Sequence, residues 1–212
     1  MNENLINHIE YHWGKMEGGW REKSESSLFS ILKFENSPFP KLNTYLTLGV
    51  SDTVLYAEKK MIRQEFLIVS NSLETEIITF LDQFTNMVLL NKKGVKRGEV
   101  FGPFDDWFSV PKIKGVYCCY PILISEEQGF YKGSNPVTVF VQIIPIYDSE
   151  IELIRNYKGI SFENELIENN MDFWDFHRKP FSIQNTSGGL NLEQASMLRK
   201  LITWAMINMM SI

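Results

Sequence analysis

Two long apolar segments constrain the fold of this chain more than any other feature of its sequence. Residues 116–125 and 137–147 are each almost continuously apolar, and a turn region with Gly129, Gly133 and Pro136 separates them. Apolar runs of this length between turn residues are typical of strands that are buried on both faces. We therefore predict two adjacent strands at the centre of a sheet.

Helical periodicity predicts the elements that pack beside these strands. Between Ser72 and Lys92 apolar residues recur every three or four positions, with Ser72 as a candidate cap and Glu74 and Glu76 near the favourable end of the helix dipole. Further helices are predicted at 2–17, 148–157, 161–170 and 191–210, with Gly18–Gly19 ending the first of them. Further strands are predicted at 28–34, 43–50 and 65–70, and a long loop at 91–114.

Strands and helices alternate along the chain without an internal repeat, which favours an α/β (α+β) fold. We expect a single compact domain, because 212 residues are enough for one core and no linker is rich enough to force a domain boundary, with 184–189 as the best candidate for one. The main domain is predicted at 1–183, and 184–212 is predicted to form a linker and a carboxy-terminal helix packed on it. Three methionines of that helix (Met206, Met209 and Met210) could also form a homodimer contact.

Charge and cysteine content restrict the partners and the compartment. The net charge of -5 argues against a nucleic-acid binder, because phosphate neutralisation needs a surplus of cations, and it favours a basic partner. The two cysteines, Cys118 and Cys119, are neighbours that a strand would point to opposite faces, which indicates a reducing compartment. No signal peptide and no apolar stretch of about 20 residues is visible. We therefore predict a cytoplasmic protein that does not contact a membrane.

Familiar catalytic motifs are missing from the sequence, so we predict no enzyme activity, no cofactor and no metal. It has no nucleophile elbow, phosphate-binding loop or dinucleotide-binding glycine motif. His8 and His12 have the spacing of metal ligands on a helix, but Glu10 lies about 200° around the helix from His8 and cannot act as the glutamate of an H-E-x-x-H motif. A metal-dependent hydrolase that uses His8 and His12 with Asp105 or Asp106 is the alternative from a different class.

Two acidic regions are candidate binding sites for a protein partner. Residues 148–175 contain eight acidic residues and only Arg155 and Lys158 as cations, so they would steer a basic protein toward this surface, although solvated helix faces are the simpler interpretation. The loop around Asp105 and Asp106 is either a turn or a recognition loop that places carboxylates among aromatic residues. The predicted partner-binding residues are Glu163, Glu165, Glu168, Asp172 and Asp175, followed by Asp105, Asp106 and Trp107.

Several short motifs, taken together, resemble the suppressor of fused domain family. They are His12–Gly14, Tyr45–Ser51, Arg63–Ile68, Gly102–Pro103, Phe140–Ile146 followed by Glu150 and Glu152, and Asp175-x-x-Arg178. The resemblance extends from about His8 to Pro180. It implies an α/β fold with a central mixed β-sheet flanked by helices, and it implies protein binding without catalysis.

The resemblance also implies a function. Small bacterial members of the family resemble antitoxin or immunity proteins that are encoded beside polymorphic toxins such as the LXG type, whose carboxy-terminal domains are often nucleases. The animal member binds transcription factors, but this chain has no long extension of the animal kind. We therefore expect an antitoxin that binds and neutralises a cognate protein toxin, and a basic nuclease would suit the acidic regions. A regulatory scaffold for another cytoplasmic protein is the alternative.

Overall fold

Nine strands and three α-helices form the described part of the chain, which in this computed structural model covers residues 3–21, 28–105, 112–122, 124, 129–157, 162–163, 166 and 172–180. The helices are α1 (Glu3–Trp13), α2 (Glu74–Asn91) and α3 (Asp148–Tyr157). The strands are β1 (Gly18–Trp20), β2 (Ser30–Phe34), β3 (Asn43–Leu48), β4 (Leu55–Ala57), β5 (Lys60–Ser70), β6 (Val100–Phe101), β7 (Ile113–Cys119), β8 (Phe130–Tyr131) and β9 (Thr138–Tyr147).

The strands form a mixed sheet, as predicted. Its order is β1-β2-β3-β5-β9-β7-β6, with β4 paired to β5 and β8 paired to β9. All neighbouring strands are antiparallel except β5 and β9, which run parallel from Arg63 opposite Thr138 to Leu67 opposite Gln142. The two apolar segments are β7 and β9, and they are adjacent, with Cys118 opposite Ile143.

Helices cover both faces of the sheet, which explains why its central strands are apolar throughout. Phe66 and Ile68 of β5 pack in a core with α2, whereas the intervening Leu67 packs on the opposite face with α1. The neighbouring cysteines follow the same alternation of a strand. Cys118 is buried on the α2 side and Cys119 on the other side, where α3 packs. Their predicted orientation to opposite faces is therefore confirmed.

Two helix boundaries differ from the sequence prediction. Helix α1 ends at Trp13 because Gly14 adopts a left-handed conformation (φ +92°) and donates to the Glu10 carbonyl, so Gly18–Gly19 lie in β1 and do not end the helix. At α2 the N-cap residue is Leu73, and no side chain caps it. The Ser72 hydroxyl instead accepts a hydrogen bond from the backbone N–H of Phe176, so the predicted cap is wrong.

The strands also differ from the prediction at their ends. Strand β7 begins at Ile113, inside the predicted loop, and ends at Cys119, because Pro121 cannot donate a backbone hydrogen bond. Four strands of two or three residues (β1, β4, β6 and β8) were too short for a periodic signal. The predicted helix at 161–170 is described only at Phe162, Glu163 and Leu166, which are helical. The predicted helix at 191–210 and the whole of 184–212 lie outside the described residues.

Candidate protein-binding surface

The parallel pair β5 and β9 marks the position where an α/β sheet commonly binds a small ligand. The helix that follows β5 lies on one face of the sheet, and the helix that follows β9 lies on the other. Such a switch opens a crevice beyond the carboxyl ends of the two strands. In this protein residues 172–178 lie across that position.

Hydrogen bonds to the ends of both strands hold this segment in place. The hydroxyl of Ser70, the last residue of β5, donates to the Trp174 carbonyl oxygen at 3.0 Å. The hydroxyl of Tyr147, the last residue of β9, donates to the Phe176 carbonyl oxygen at 3.1 Å. Phe173 is buried in the core beneath α3, and Phe176 is buried in the core beneath α2. The segment therefore passes from one face of the sheet to the other and fills the crevice.

A buried ion pair fastens the end of the segment to the start of α3. Arg178 donates to both carboxylate oxygens of Glu150, at 2.6 and 2.8 Å, and the two side chains are 5% and 0% exposed. Glu150 also accepts the backbone N–H of Tyr147 at 2.8 Å. The Arg178 guanidinium lies 5.1 Å from the centre of the Tyr147 ring. Such bidentate charged hydrogen bonds fix geometry as well as adding energy.

Four acidic residues surround the filled crevice on the outside, and we call them the acidic end. They are Asp148, Glu152, Asp172 and Asp175, of which the first three are exposed and the last is half-buried. Asp175 lies near Tyr147 and contributes to raising the pKa of that phenol, although burial is the main cause. Exposed Lys112, whose carbonyl accepts the Asp148 N–H, and exposed Lys179 partly offset this charge. Asp172 and Asp175 are thus the two predicted site residues that the structure brings together.

Glu163 has an internal role in the structure, in contrast to its predicted place on a partner-binding surface. Its carboxylate is 2% exposed and accepts hydrogen bonds from the Arg97 guanidinium, at 3.0 Å from Nε, and from the Tyr117 hydroxyl at 2.8 Å. Burial and the nearby carboxylate together raise the pKa of Tyr117. A direct contact between Glu163 and a partner would require this pair to open.

The other predicted site residues remain predictions. Asp105 is exposed and lies 3.9 Å from the Lys114 ammonium. Strand β6, which precedes Asp105, lies at one edge of the sheet. Glu165, Glu168, Asp106 and Trp107 lie outside the described residues.

A buried carboxylate that sequence reasoning did not single out lies in the middle of β5 and organises the loop that follows β3. Glu65 is 0% exposed and accepts hydrogen bonds from the Thr47 hydroxyl (2.6 Å), the Gly49 N–H (3.0 Å), and both the N–H and the hydroxyl of Ser51 (3.0 and 2.7 Å). Burial raises the pKa of Glu65 to about 7, while these donors favour the ionised form. The sequence signal that could have identified this network is the presence of polar residues inside two motifs that otherwise have the pattern of buried strands.

The histidine pair lies on the α1 side of the sheet. The rings of His8 and His12 are 4.5 Å apart, and His8 stacks on Phe140 at 5.8 Å. Burial lowers the pKa of both histidines, and at His8 the neighbouring His12 adds to the effect. Asp105 lies beyond β6 and is not brought to this pair.

Two further findings concern the described part of the chain. No group of three or more His, Cys, Asp or Glu side chains among these residues is arranged to hold a metal ion. None of the helices described above combines the length and the apolar content that crossing a bilayer requires.

The fold is that of an α+β protein, because one mixed sheet has α2 on one face and α1 and α3 on the other. The crevice in which such a sheet commonly binds a ligand is filled by the chain itself. The family follows from the sequence match. A model of the family described as suppressor of fused protein (SUFU) matches residues 26–179, so this chain belongs to the suppressor of fused family. The matched region includes the Glu65 network and the Glu150–Arg178 pair.

Solved structures agree with the family assignment at the level of the fold. The chain is similar to a SUFU (suppressor of fused protein) homolog from Neisseria gonorrhoeae FA 1090, with 16% identity and a TM-score of 0.68 over 86% of this chain and 97% of that one. It is also similar to a chain of the Sufu–Fu complex, with 13% identity and a TM-score of 0.60 over 76% of this chain and 82% of that one. A comparison with curated proteins finds no significant match.

Proposed function

We propose that this protein is an antitoxin or immunity protein that binds a cognate toxin of the LXG type, with a basic nuclease as the best-suited kind, and neutralises it by stoichiometric binding in the cytoplasm. The observation that carries the proposal is the filled crevice in a protein of this family. Residues 172–178 occupy the position where a small substrate would bind, so function is assigned to the outer surface. The solved complex of Sufu with Fu supports protein partnering by this fold.

The acidic end is the surface we assign to the toxin. Asp172 is exposed on a segment that a buried ion pair holds in place, and Asp148 and Glu152 lie beside it on α3. A rigid carboxylate surface accelerates encounter with a cationic partner and needs little reorganisation on binding. A nuclease must attract phosphates, so the region around its active site is expected to be basic.

Capture of the partner is the first test. The tagged protein is purified from native cells, co-purifying proteins are identified by mass spectrometry, and the main partner is expressed alone and together with this protein. The proposal predicts that the partner stops growth and that co-expression restores it. A harmless partner would contradict neutralisation and favour the regulatory scaffold.

The assignment of the surface has a separate test with a matched control. Asp172→Lys and Asp52→Lys make the same change in charge at exposed positions near opposite ends of β5. Asp172→Lys is expected to slow association with the captured toxin about threefold or more and to weaken its salt dependence, whereas Asp52→Lys is expected to have a smaller effect. Equal effects of the two changes would show that only net charge matters.

The hydrolase alternative receives no support from the arrangement of its residues. His8 and His12 contact each other on the α1 side of the sheet, and Asp105 follows strand β6 at the edge. Measurement of metal content after purification tests this alternative directly. A stoichiometric metal that is lost in a His8→Ala/His12→Ala variant would revive it.

A further inference from the structure

The end of the molecule opposite the acidic end is basic. It consists of the turn between β4 and β5 and the residues that follow α2, which return to the same place because the Tyr56 N–H donates to the Lys92 carbonyl and the Gly94 N–H donates to the Tyr56 carbonyl. Five exposed lysines lie in these two segments: Lys59, Lys60, Lys92, Lys93 and Lys96. We call this surface the basic end.

Two exposed apolar side chains lie at the centre of the basic end. Tyr56 and Met61 are directly opposite each other in the β4–β5 pairing, and they are 49% and 60% exposed. Their neighbours Leu55 and Ile62 point the other way and pack on the α2 core. The backbone of Tyr56 is therefore held by the β4–β5 pairing on one side and by hydrogen bonds to the Lys92–Gly94 segment on the other. Fixed aromatic and methionine side chains are typical of protein interfaces.

The lysines of the basic end exceed the acidic residues that could neutralise them. Lys96 forms an ion pair with Glu58, and Lys93 forms one with Glu99 at 2.7 Å. Lys59 and Lys92 form no ion pair with any described residue. The basic end thus has a positive excess although the chain as a whole has a net charge of -5. This separation gives the molecule opposite charges at the two ends of the parallel strands.

We propose that the basic end is a second protein-binding surface, which takes an acidic segment of a partner protein whose apolar side chains cover Tyr56 and Met61. Charge complementarity requires the segment that binds this positive surface to carry a negative charge. A nucleic acid is a poorer fit, because Glu58 and Glu99 lie within the surface and repel phosphates, whereas a protein segment can pair a cation with them. The proposal is independent of the assignment of the toxin to the acidic end.

A model peptide tests the proposal on the whole protein. The probe is a fluorescein-labelled peptide that combines several glutamates with two leucines, and binding is measured by fluorescence anisotropy at low salt. Lys59→Glu/Lys60→Glu is expected to weaken binding about tenfold. Tyr56→Ser is expected to weaken it severalfold without altering its salt dependence, since it removes apolar contact and not charge.

Controls separate this surface from a general effect of charge. Lys15→Glu/Lys41→Glu makes the same change in net charge at exposed positions elsewhere and is expected to leave binding within about twofold. Equal weakening by the two double variants would overturn the proposal, as would the absence of binding. Tighter binding of a labelled single-stranded oligonucleotide, unaffected by Tyr56→Ser, would show a polyanion site instead and would also overturn it. All substituted side chains are exposed, and thermal unfolding checks that each variant folds.

Discussion

Replacing Arg178 with methionine removes the cation that forms the buried ion pair with Glu150. The Glu150 side chain is 0% exposed, so its charge would remain buried beside the backbone N–H of Tyr147 without that cation. Removal of one member of a buried pair typically costs about 3–5 kcal/mol. For a domain of this size each kcal/mol lowers the melting temperature by about 2–4 °C. We therefore expect Arg178→Met to lower it by roughly 10 °C.

Denaturant unfolding and hydrogen exchange measure the global and the local effect separately. Unfolding in urea gives the loss of stability, and the midpoint is expected to fall without a change in slope. The amide protons of 172–176 are expected to exchange faster in Arg178→Met than in the wild type, because the segment has lost its fastening at one end. The amide protons of β5 and β9 are expected to exchange in the same relative order in the variant as in the wild type.

A double-mutant cycle measures the interaction energy between Arg178 and Glu150 separately from the effect of each single substitution. Glu150→Gln keeps the size of the side chain and removes the charge, so Arg178→Met/Glu150→Gln should cost less than the sum of the single changes by about 1–3 kcal/mol. A loss below about 1 kcal/mol in Arg178→Met, or additive losses in the cycle, would refute the reasoning that this pair fixes the segment.

Three further outcomes follow from the buried titratable groups. Burial raises the pKa of Glu65 to about 7 from an ordinary 4.5, so ionisation of this group should lower the free energy of unfolding by about 3 kcal/mol as pH rises from 4.5 to 7. Urea unfolding across that range should show this fall in the free energy of unfolding in the wild type and not in Glu65→Gln. The lowered pKa of His8 acts in the opposite direction, so its contribution to the free energy of unfolding is present above pH 6.5 and is lost as pH falls below that value. His8→Phe should reduce this loss of stability in the same assay. An unchanged loss of stability below pH 6.5 in His8→Phe would contradict this prediction. Burial raises the pKa of the Cys118 thiol, and Cys119 is 1% exposed, so neither should react with a thiol reagent until the protein is denatured; rapid reaction of the native protein would contradict their packing.

Periodicity was sufficient to predict most of the long elements, although only 65–70 of β5 (Lys60–Ser70) was predicted. Helix α2 and strands β7 and β9 have enough apolar positions for the pattern to identify them, and the two strands are adjacent as predicted. Only β9 is central, because β7 lies next to the edge strand β6. The order of the strands and the parallel pairing of β5 with β9 depend on contacts between distant residues, which periodicity does not report. The four shortest strands have too few residues for a periodic signal. The boundary at Gly14 was missed because a glycine pair later in the chain gave a stronger stop signal.

The candidate surface was predictable only in part, because a carboxylate has the same appearance in the sequence whether it is exposed or paired. Asp172 is exposed, but Glu163 is buried against Arg97, a residue 66 positions away in the chain. The motifs that carry the family resemblance are internal: Thr47, Gly49 and Ser51 surround Glu65, and Glu150 binds Arg178.

Gly49 shows why one of these motifs tolerates little change. Its φ is +113°, and a Cβ atom at this position would lie only 2.8 Å from the Leu28 carbonyl oxygen, so any side chain would be both strained and crowded. These motif residues therefore maintain the architecture. This is why the family is evident from the sequence whereas the contact residues are not.

The most direct test of neutralisation is a titration of the captured toxin with the purified protein. Toxin activity is measured at increasing amounts of this protein, at concentrations well above the dissociation constant. Stoichiometric neutralisation predicts that activity falls linearly and ends at one equivalent, with a complex of the two proteins recovered by size exclusion. Activity that persists in the presence of a stable complex, or that falls catalytically at far less than one equivalent, would contradict neutralisation by binding.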